Sequence, residues 1–284
     1  MADSRLASAK VNLFLHVDAP SPDGFHPICS AMVFADIGDQ VSLTEGPGLS
    51  VSGPFASELS GGGENLVARA VKAFEPFLPG AIGLHLDKRL PVAAGLGGGS
   101  SDAGAALRLM RDTFAPQVSE SDLESLAASL GSDGAACLWA RAVLARGRGE
   151  QLSPWPSMPQ LFGVLINPGV SVSTAAVYRR FDELGKFEGL EVPNLPPRFQ
   201  SVAQLAQWLK WTRNDLQPPA LTIAPVIGTV LVELEASPGV RLARMSGSGA
   251  TCFALCEDQD SAQRLAQSLA ERHGDWWVQA CAFS

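Results

Sequence analysis

Hydrophobic and polar positions alternate in the first strand-like run of the chain, residues 8–17. This period of two is typical of a β-strand with two different faces. One face carries Ala9, Val11, Leu13, Leu15 and Val17, and the other carries Lys10, Asn12, Phe14 and His16. Taken alone, the segment favours a solvated outer face for the lysine and the asparagine. A role for both in facing a ligand is the alternative.

Strand-like patterns with a period of two residues and helical patterns with a period of about 3.6 residues fill the rest of the chain. Strand-like runs cover 29–36, 40–44, 82–90 and 161–166, with a strand pair around 137–150 and a strand–glycine turn–strand unit over 240–256. Helical patterns cover 64–78, 103–114, 121–130, 174–184, 201–213, 221–236 and 258–272. Because strands and helices do not alternate strictly, the order indicates an α+β fold. The Pro-rich run 153–160 predicts a boundary between domains over 1–155 and 156–284.

Composition narrows the class of protein. The chain has 284 residues and a formal net charge of −8, which argues against a general nucleic-acid binder. The chain contains no run of about 20 apolar residues, the length that a membrane-spanning helix needs. We therefore expect a cytoplasmic protein without a membrane or nucleic-acid partner. The cysteines are Cys29, Cys137, Cys252, Cys256 and Cys281. Their scattered spacing predicts reduced core thiols, and the histidine spacing does not match a structural metal site.

A glycine-rich loop precedes the helical pattern at 103–114. It consists of Pro91, Val92, Ala93, Ala94, Gly95, Leu96, Gly97, Gly98, Gly99, Ser100 and Ser101. Glycine torsions, two hydroxyls and a helix start together predict a phosphate-binding site. The loop lacks the lysine of G-x-x-x-x-G-K-[ST], and Ser100 and Asp102 break G-x-G-x-x-G. A flexible loop or tight turn before the helix is the alternative.

These residues resemble a known superfamily. PVAAGLGGGSSDAGAAL, residues 91–107, resembles the ATP-binding motif of the GHMP kinases, which act on galactose, homoserine, mevalonate and phosphomevalonate. Within that superfamily, SAKVNLFLHV with PDGFHPICSAM is similar to the signature of the kinases of 4-diphosphocytidyl-2-C-methyl-D-erythritol. Further similar segments are ENLVARA, KRLP, GSD, NPGVSVST, ND and SGSGAT, and the resemblance is weakest over 185–212.

The resemblance implies a fold and a reaction. The fold would be two-domain, with a ribosomal-protein-S5-domain-2-like N-terminal half and a ferredoxin-like α/β sandwich as the C-terminal half. The reaction would be ATP-dependent phosphorylation of the 2-hydroxyl of 4-diphosphocytidyl-2-C-methyl-D-erythritol, in the non-mevalonate route to isoprenoid precursors. ATP and Mg²⁺ are the implied cofactors, with Ser100, Ser101 and Asp102 as unranked candidates for holding the metal.

The resemblance also implies two catalytic residues. Asp133 would orient the acceptor hydroxyl and take its proton, and Lys10 would keep that carboxylate ionised and stabilise charge in the transition state. On its own, an aspartate after Gly131 is more typical of a helix cap or a turn. The segment reads GSDGAACLW where the family has GADVPFF, so small residues replace bulkier neighbours beside Asp133.

Binding residues are implied by the same comparison. Asn12 would line the acceptor site, while Phe25, His26 and Tyr178 would recognise the cytosine ring. Phe25 stands where tyrosine is commoner, so the hydroxyl of that position is lost. His26 as a turn residue and Tyr178 as a half-buried helix residue are the alternatives. Asn65 would lie near the adenine, or would cap the following helix.

Two other functions stay open at this level. A different GHMP kinase, of the homoserine or mevalonate type, would share the loop but not the DGFH segment at 23–26. A non-catalytic nucleotide-binding or RNA-associated protein could use the same fold, because a fold alone does not determine function. The presence of both Lys10 and Asp133 speaks against that second alternative.

Overall fold

The structure is a computed structural model that describes residues 4–60 and 65–284, with the backbone alone at residue 60. Its strands are β1 Ser4–Val17, β2 Ile28–Thr44, β3 Gly48–Ser52, β4 Gly83–Asp87, β5 Val143–Gly147, β6 Gln151–Pro154, β7 Leu161–Asn167, β8 Val240–Met245, β9 Cys252–Cys256 and β10 Trp277–Phe283. Its helices are α1 Leu66–Phe74, α2 Gly98–Phe114, α3 Glu120–Leu130, α4 Gly134–Trp139, α5 Thr174–Leu184, α6 Val202–Leu209, α7 Gln217–Ile223, α8 Val226–Ala236 and α9 Gln259–Arg272. Among these described helices, none is long and apolar enough to span a membrane.

The described residues form two compact units. The first contains the described residues of 4–10, 37–92 and 97–141, and the second contains Val11–Asp36, Ala93–Leu96 and Ala142–Ser284. Strands β1 and β2 therefore each contribute residues to both units. So does the glycine-rich loop, because 93–96 belong to the second unit and 97–101 to the first.

Helices α1 to α4 pack on a small sheet in the first unit. The end of β2 pairs antiparallel with β4, and β3 pairs parallel with β4. The apolar side of α1, which includes Ala70 and Phe74, is buried as its helical spacing predicts. Small residues of α2, such as Ala103 and Ala106, are also fully buried and let neighbouring helices approach closely. The result is a rigid support for the first turn of α2.

Antiparallel strands make up the sheet of the second unit. β7 lies between β9 and β10, and β8 pairs with the other edge of β9. The start of β2 pairs with β5, which continues into the hairpin partner β6. This register places Gly147, at the end of β5, opposite Ile28. The hairpin turn after β5 therefore lies close in the sheet to the DGFH segment that precedes β2.

The solvated face predicted for β1 is wrong, because both faces of the strand are buried. Lys10 is 4% exposed, Asn12 2%, and Phe14 and His16 are completely buried. The ring of Trp208 packs on Phe14 at 5.9 Å between centroids. An alternating pattern reports which residues share a face, but it does not report what covers that face.

Several predicted boundaries also differ. Residues 29–36 and 40–44 belong to one strand, β2, and β10 was missed. Helix α1 ends at Phe74 rather than 78 because Pro76 falls in a short 3-10 turn, and the predicted first residue, 64, lies outside the described residues. The pattern at 201–213 forms helix only to Leu209, and that at 221–236 divides at Pro225 into α7 and α8.

Two helix starts differ for local reasons. Helix α2 begins at Gly98 rather than 103, because Gly97 adopts a left-handed conformation with φ of 63° and turns the chain directly into the helix. Helix α3 is capped by Ser119, whose hydroxyl accepts from the Asp122 amide at 3.1 Å. The capping box predicted for Ser121 and Glu124 therefore does not form. The first part of the predicted strand pair around 137–150 is helix α4 instead.

Candidate functional site

The glycines at the start of α2 are explained by the side chains behind them. A methyl group added to Gly97 would lie 3.0 Å from Cε of Lys10, at a φ that already disfavours other residues. A methyl group on Gly98 would lie 3.0 Å from Nζ of Lys88. Two lysine side chains thus lie against neighbouring glycines of the loop. The loop sequence itself lacks a lysine, and these two lysines come from strand β1 and from the residue that follows strand β4.

Gly95 is required by a close approach of a second backbone segment. Its φ is 76°, and an added methyl group would overlap the carbonyl oxygen of Ser246. The Ser246 hydroxyl donates to the Gly95 carbonyl at 2.9 Å and accepts from the Asn12 amide at 3.1 Å. The Thr251 amide donates to the Ala94 carbonyl at 3.1 Å. The SGSGAT segment therefore holds both the loop and strand β1 within the second unit.

The remaining loop residues precede the first turn of α2 in the chain. Pro91 and Leu96 are buried, Val92 is half-buried and donates its amide to Glu58 at 3.2 Å, and Ala93 is exposed with φ of 52°. The first amides of a helix have no partner within the helix, and the dipole of this 17-residue helix adds positive potential there. The arrangement suits an anion such as a phosphate group.

The hydroxyls of Ser100 and Ser101 differ in access. Ser100 is half-buried on the first turn, whereas Ser101 is 1% exposed and interacts with the Cys137 thiol. Asp102 is also buried, at 3% exposed. In the described part of the chain, no group of three or more histidine, cysteine or acidic side chains could hold a metal ion. A cation here would need oxygen ligands from a bound phosphate as well.

Lys10 and Asp133 meet as the sequence predicts. Nζ of Lys10 lies 3.1 Å from Oδ2 of Asp133, and their side chains are 6% and 26% exposed. Asp133 occupies the N-cap position of α4, but its side chain makes no capping hydrogen bond. The capping alternative is therefore wrong for this carboxylate. One of its oxygens faces a buried ammonium while the side chain keeps contact with solvent.

The small residues next to Asp133 have a structural reason. A methyl group on Gly134 would overlap the carbonyl oxygen of Ala127, because α4 starts directly against α3. Cys137, one turn further, is completely buried, and burial together with Asp133 raises the pKa of its thiol to about 12. This thiol is therefore neutral and unreactive. The GSDGAAC departure allows a close helix contact that holds Asp133 in place.

A second lysine site was missed by the sequence analysis. Nζ of Lys88 donates to Asp39 at 2.5 Å and to Asp102 at 3.0 Å, and the three side chains are at most 4% exposed. Burial opposes the charge of Lys88, but the two carboxylates raise its pKa above the ordinary value. Burial raises the pKa of Asp102. The sequence signal that could have indicated this buried group is the position of Lys88, directly between a strand and the glycine-rich loop.

The side-chain amide of Asn12 is held by a chain of two hydrogen bonds that passes through Ser30. Its Nδ2 donates to the Ser30 hydroxyl at 2.7 Å, and Ser30 in turn donates to the Phe14 carbonyl at 2.6 Å. The orientation of the side-chain amide is thus set, with Oδ1 directed away from Ser30. A methyl group on Gly247 would lie 3.4 Å from that oxygen.

His26 and Tyr178 come together, with ring centroids 5.0 Å apart. Nδ1 of His26 lies 2.7 Å from the Asp18 carbonyl oxygen and Nε2 lies 3.3 Å from a carboxylate oxygen of Asp182. A carbonyl oxygen can only accept, so Nδ1 donates to it, and Nε2 faces a carboxylate oxygen that is likewise an acceptor. Phe25 is 55% exposed beside them. Two aromatic rings and an oriented imidazole therefore share one surface of the second unit.

Asn65 caps helix α1. Its side-chain oxygen accepts from the Val67 amide at 2.8 Å, in an extended backbone conformation. The capping role is thus confirmed, and a contact with adenine remains a prediction.

Comparison with known proteins agrees with these motifs. The model of the GHMP kinases N terminal domain matches residues 65–141, and that of the GHMP kinases C terminal domain matches 188–275. A curated relative from Caulobacter vibrioides strain NA1000 / CB15N, a 4-diphosphocytidyl-2-C-methyl-D-erythritol kinase, is 53% identical and covers 99% of each chain.

Comparison with solved structures supports the same family assignment. A crystal structure of 4-(cytidine 5'-diphospho)-2C-methyl-D-erythritol kinase is 32% identical, covers 99% of each chain and superposes with a TM-score of 0.78. A homoserine kinase from Cytophaga hutchinsonii shares the fold alone, at 20% identity and a TM-score of 0.65 over 99% of this chain and 95% of its own. The expected α+β fold and the sequence resemblance are both confirmed. The chain belongs to the GHMP kinases and, among them, to the family of the 4-diphosphocytidyl-2-C-methyl-D-erythritol kinases.

Proposed function

We propose that this chain transfers the γ-phosphoryl group of ATP to the 2-hydroxyl of 4-diphosphocytidyl-2-C-methyl-D-erythritol. The observation that carries the proposal is the ion pair between Lys10 and Asp133, 3.1 Å long, with Lys10 lying against Gly97 of the loop. The names of full-length relatives at 40–53% identity support this acceptor. Phosphoryl transfer needs little covalent chemistry from the protein, so position and charge carry the argument.

Asp133 acts as the general base in this proposal. Its carboxylate is partly exposed, so an acceptor hydroxyl can reach it, and it takes the hydroxyl proton as the oxygen attacks phosphorus. Because its side chain makes no capping bond and only Oδ2 faces Lys10, Oδ1 can serve in this task. The close contact of α4 with α3 at Gly134 keeps the carboxylate in one orientation.

Lys10 supports both partners of the reaction. Its ammonium pairs with the Asp133 carboxylate, and it also stabilises the negative charge that develops on the transferred group. Contact with Gly97 brings this charge to the N-terminus of α2, where a phosphate group would bind. In this way a lysine on a strand replaces the lysine that other phosphate loops carry within the loop.

The loop from Pro91 to Ser101 holds the phosphates of ATP, and Asn65 lies near the adenine in this proposal. Mg²⁺ bound by phosphate oxygens would neutralise charge and help orient the transferred group. Ser100 is the best protein ligand, since it alone of the three candidates is partly exposed, whereas Ser101 and Asp102 are buried behind it. A serine hydroxyl is a suitable oxygen donor for this hard cation.

The cytosine ring is recognised by the surface of Phe25, His26 and Tyr178. The rings of Phe25, His26 and Tyr178 provide stacking partners for the base. Asn12, whose side-chain amide is held by Ser30, would line the acceptor site. The five cysteines of the chain are free and buried, which supports a reducing compartment such as the cytoplasm.

The test is release of ADP from ATP and Mg²⁺ with a panel of acceptors. The account predicts turnover with 4-diphosphocytidyl-2-C-methyl-D-erythritol and none above background with homoserine or mevalonate. Turnover with homoserine or mevalonate alone would replace the acceptor, and ATP binding without turnover on any acceptor would favour a non-catalytic protein. The Asp133→Ala variant serves as the blank for contaminating kinases.

A further inference from the structure

An arginine covers the DGFH segment from the neighbouring hairpin. The Arg148 guanidinium lies over the Phe25 ring, 4.1 Å from the ring centroid, and its Nη2 donates to a carboxylate oxygen of Asp23. The Arg148 side chain remains 51% exposed. This contact joins the turn after β5 to the surface assigned to cytosine recognition.

The hairpin is built to present this side chain. Gly147 and Gly149 flank Arg148 with φ of 70° and 113°, and the Arg148 amide donates to the Glu150 carboxylate at 2.6 Å. Gly147 also pairs in register with Ile28, two residues after His26. The backbone of Arg148 is therefore fixed next to the acceptor-binding segment, while its head group stays in solvent.

The guanidinium has donors to spare. Within the described residues, Asp23 is the side chain that accepts from it, so most of its five N–H groups remain available. The guanidinium lies over the Phe25 ring, and its N–H donors lie at the edge of its own plane. The pair with Asp23 is exposed on both sides, at 51% and 47%, and such pairs contribute little stability. A ligand with greater negative charge can compete for it.

The proposed acceptor carries such a charge. Its cytidine is joined to the sugar alcohol through a diphosphate, and planar bidentate donors are well suited to phosphate oxygens. The carboxylates near the cytosine surface, Asp23 and Asp182, would repel that group. A cation at this surface would offset that repulsion for a diphosphate that lies beside it.

We propose that Arg148 binds the diphosphate of the acceptor and so makes the site select a nucleoside diphosphate ester over a bare nucleoside. This inference rests on the proposed function, because it takes the DGFH segment as the cytosine site. On binding, the guanidinium keeps its stack on Phe25 and exchanges Asp23 for phosphate oxygens. In the absence of the acceptor, the Asp23 carboxylate takes the place of the phosphate oxygens and holds Arg148 in position.

A purely structural role makes different predictions. If Arg148 only clamps the DGFH segment through Asp23, then Arg148→Gln and Asp23→Asn should be equivalent, and both should weaken every cytidine ligand alike. If Arg148 binds the diphosphate, Asp23→Asn leaves the cation in place and removes its competitor. The two variants then differ in direction.

The experiment is calorimetric titration of the protein with cytidine, CMP and CDP, which do not react. For Arg148→Gln we expect an affinity for CDP about tenfold or more lower, the usual range for a lost charge-assisted bond, with the affinity for cytidine changed less than about threefold. Arg148→Lys should retain part of the preference for CDP. Asp23→Asn should bind CDP at least as tightly as the wild type. Arg241→Gln, which removes another exposed arginine paired with Glu257, is the matched control.

The possible results separate this inference from the proposed function. Wild-type protein that binds neither cytidine nor CDP would contradict the proposed acceptor and Arg148 with it. Wild-type protein that binds both equally would contradict the diphosphate contact alone. An unchanged affinity of Arg148→Gln for CDP would also contradict the diphosphate contact. The same conclusion would follow if Arg148→Gln lost equal affinity for CDP and for cytidine and Asp23→Asn showed the same losses.

Discussion

Two lysines of the first unit lie against neighbouring glycines of the same loop, yet they differ in the number and exposure of the carboxylates that they face. Lys10 lies against Gly97 and faces one carboxylate, Asp133, at 3.1 Å. Lys88 lies against Gly98 and is held between two carboxylates, at 2.5 and 3.0 Å. Both ammonium groups are buried, so burial alone does not distinguish them.

The carboxylates account for the difference. Asp133 has a side chain that is 26% exposed, whereas those of Asp39 and Asp102 are 0% and 4% exposed. Asp39 is also saturated, since its other oxygen accepts from the amides of Arg89 and Leu90 at 2.6 and 2.8 Å. A substrate can approach the first pair but not the second group. The site at Lys88 therefore holds the loop, and the site at Lys10 can perform chemistry.

The largest expected effect is at Asp133. Asp133→Ala should reduce turnover by on the order of 10³-fold or more, since it removes the proposed general base, while the affinity for ATP stays within a few-fold of wild type. Steady-state ADP release and nucleotide titration on the same preparation measure both. Turnover close to wild type would remove Asp133 from the role of base.

Lys88→Met should instead act on stability. It leaves two buried carboxylates without their cation, and removing one side of a buried ion pair costs about 3–5 kcal/mol. Urea unfolding at pH 7 gives the free energy of unfolding. In an Asp102→Asn background the same change should cost less, because one carboxylate is already neutral. A Lys88→Met protein of wild-type stability would show that the buried group does not hold the loop.

Lys10→Ala should lose on the order of a hundredfold in kcat, the effect of removing one group that stabilises transition-state charge. The loss of free energy of unfolding should be smaller than for Lys88→Met, because Asp133 retains access to water. Paired kcat and unfolding measurements on the two lysine variants sharpen the comparison. An effect of only a few-fold on kcat would exclude a catalytic role for Lys10.

The smallest effect concerns His16, a buried group on β1 that lies near cations instead of carboxylates. Burial, followed by the charge of Arg213, lowers the pKa of His16 to about 4. Below pH 6.5 the unfolded chain binds a proton that the folded chain does not, so stability falls as pH decreases from 6.5 towards 4. The slope reaches at most about 1.4 kcal/mol per pH unit. His16→Gln should lack this contribution, as urea unfolding at pH 7 and pH 5 can test.

The sequence predicted the parts of the site that depend on local chemistry. The loop, the helix after it, and the strand with Lys10 and Asn12 are visible as patterns of spacing and residue type. The family resemblance then indicated Asp133, whose local sequence suggested only a cap. Its side chain is instead directed by Lys10, which is 123 residues away in the chain.

The missed features depend on contacts between distant segments. Asp39 and Lys88 look like ordinary strand-end charges until β2 and β4 pair and bring them together under Gly98. The need for glycine at 95 comes from Ser246, and the need for glycine at 134 comes from Ala127. No local rule contains these neighbours, because tertiary packing decides which backbone lies against which residue.

The central claim is that Lys10 and Asp133 act as one catalytic pair, and a double-mutant cycle on kcat tests it most directly. The variants are Lys10→Met, Asp133→Asn and the two together, each assayed with ATP, Mg²⁺ and the cytidyl acceptor. If the residues act as a unit, the double variant should be no slower than the slower single variant by more than about threefold. If the two losses multiply in full, the residues act independently and the account of the pair is wrong.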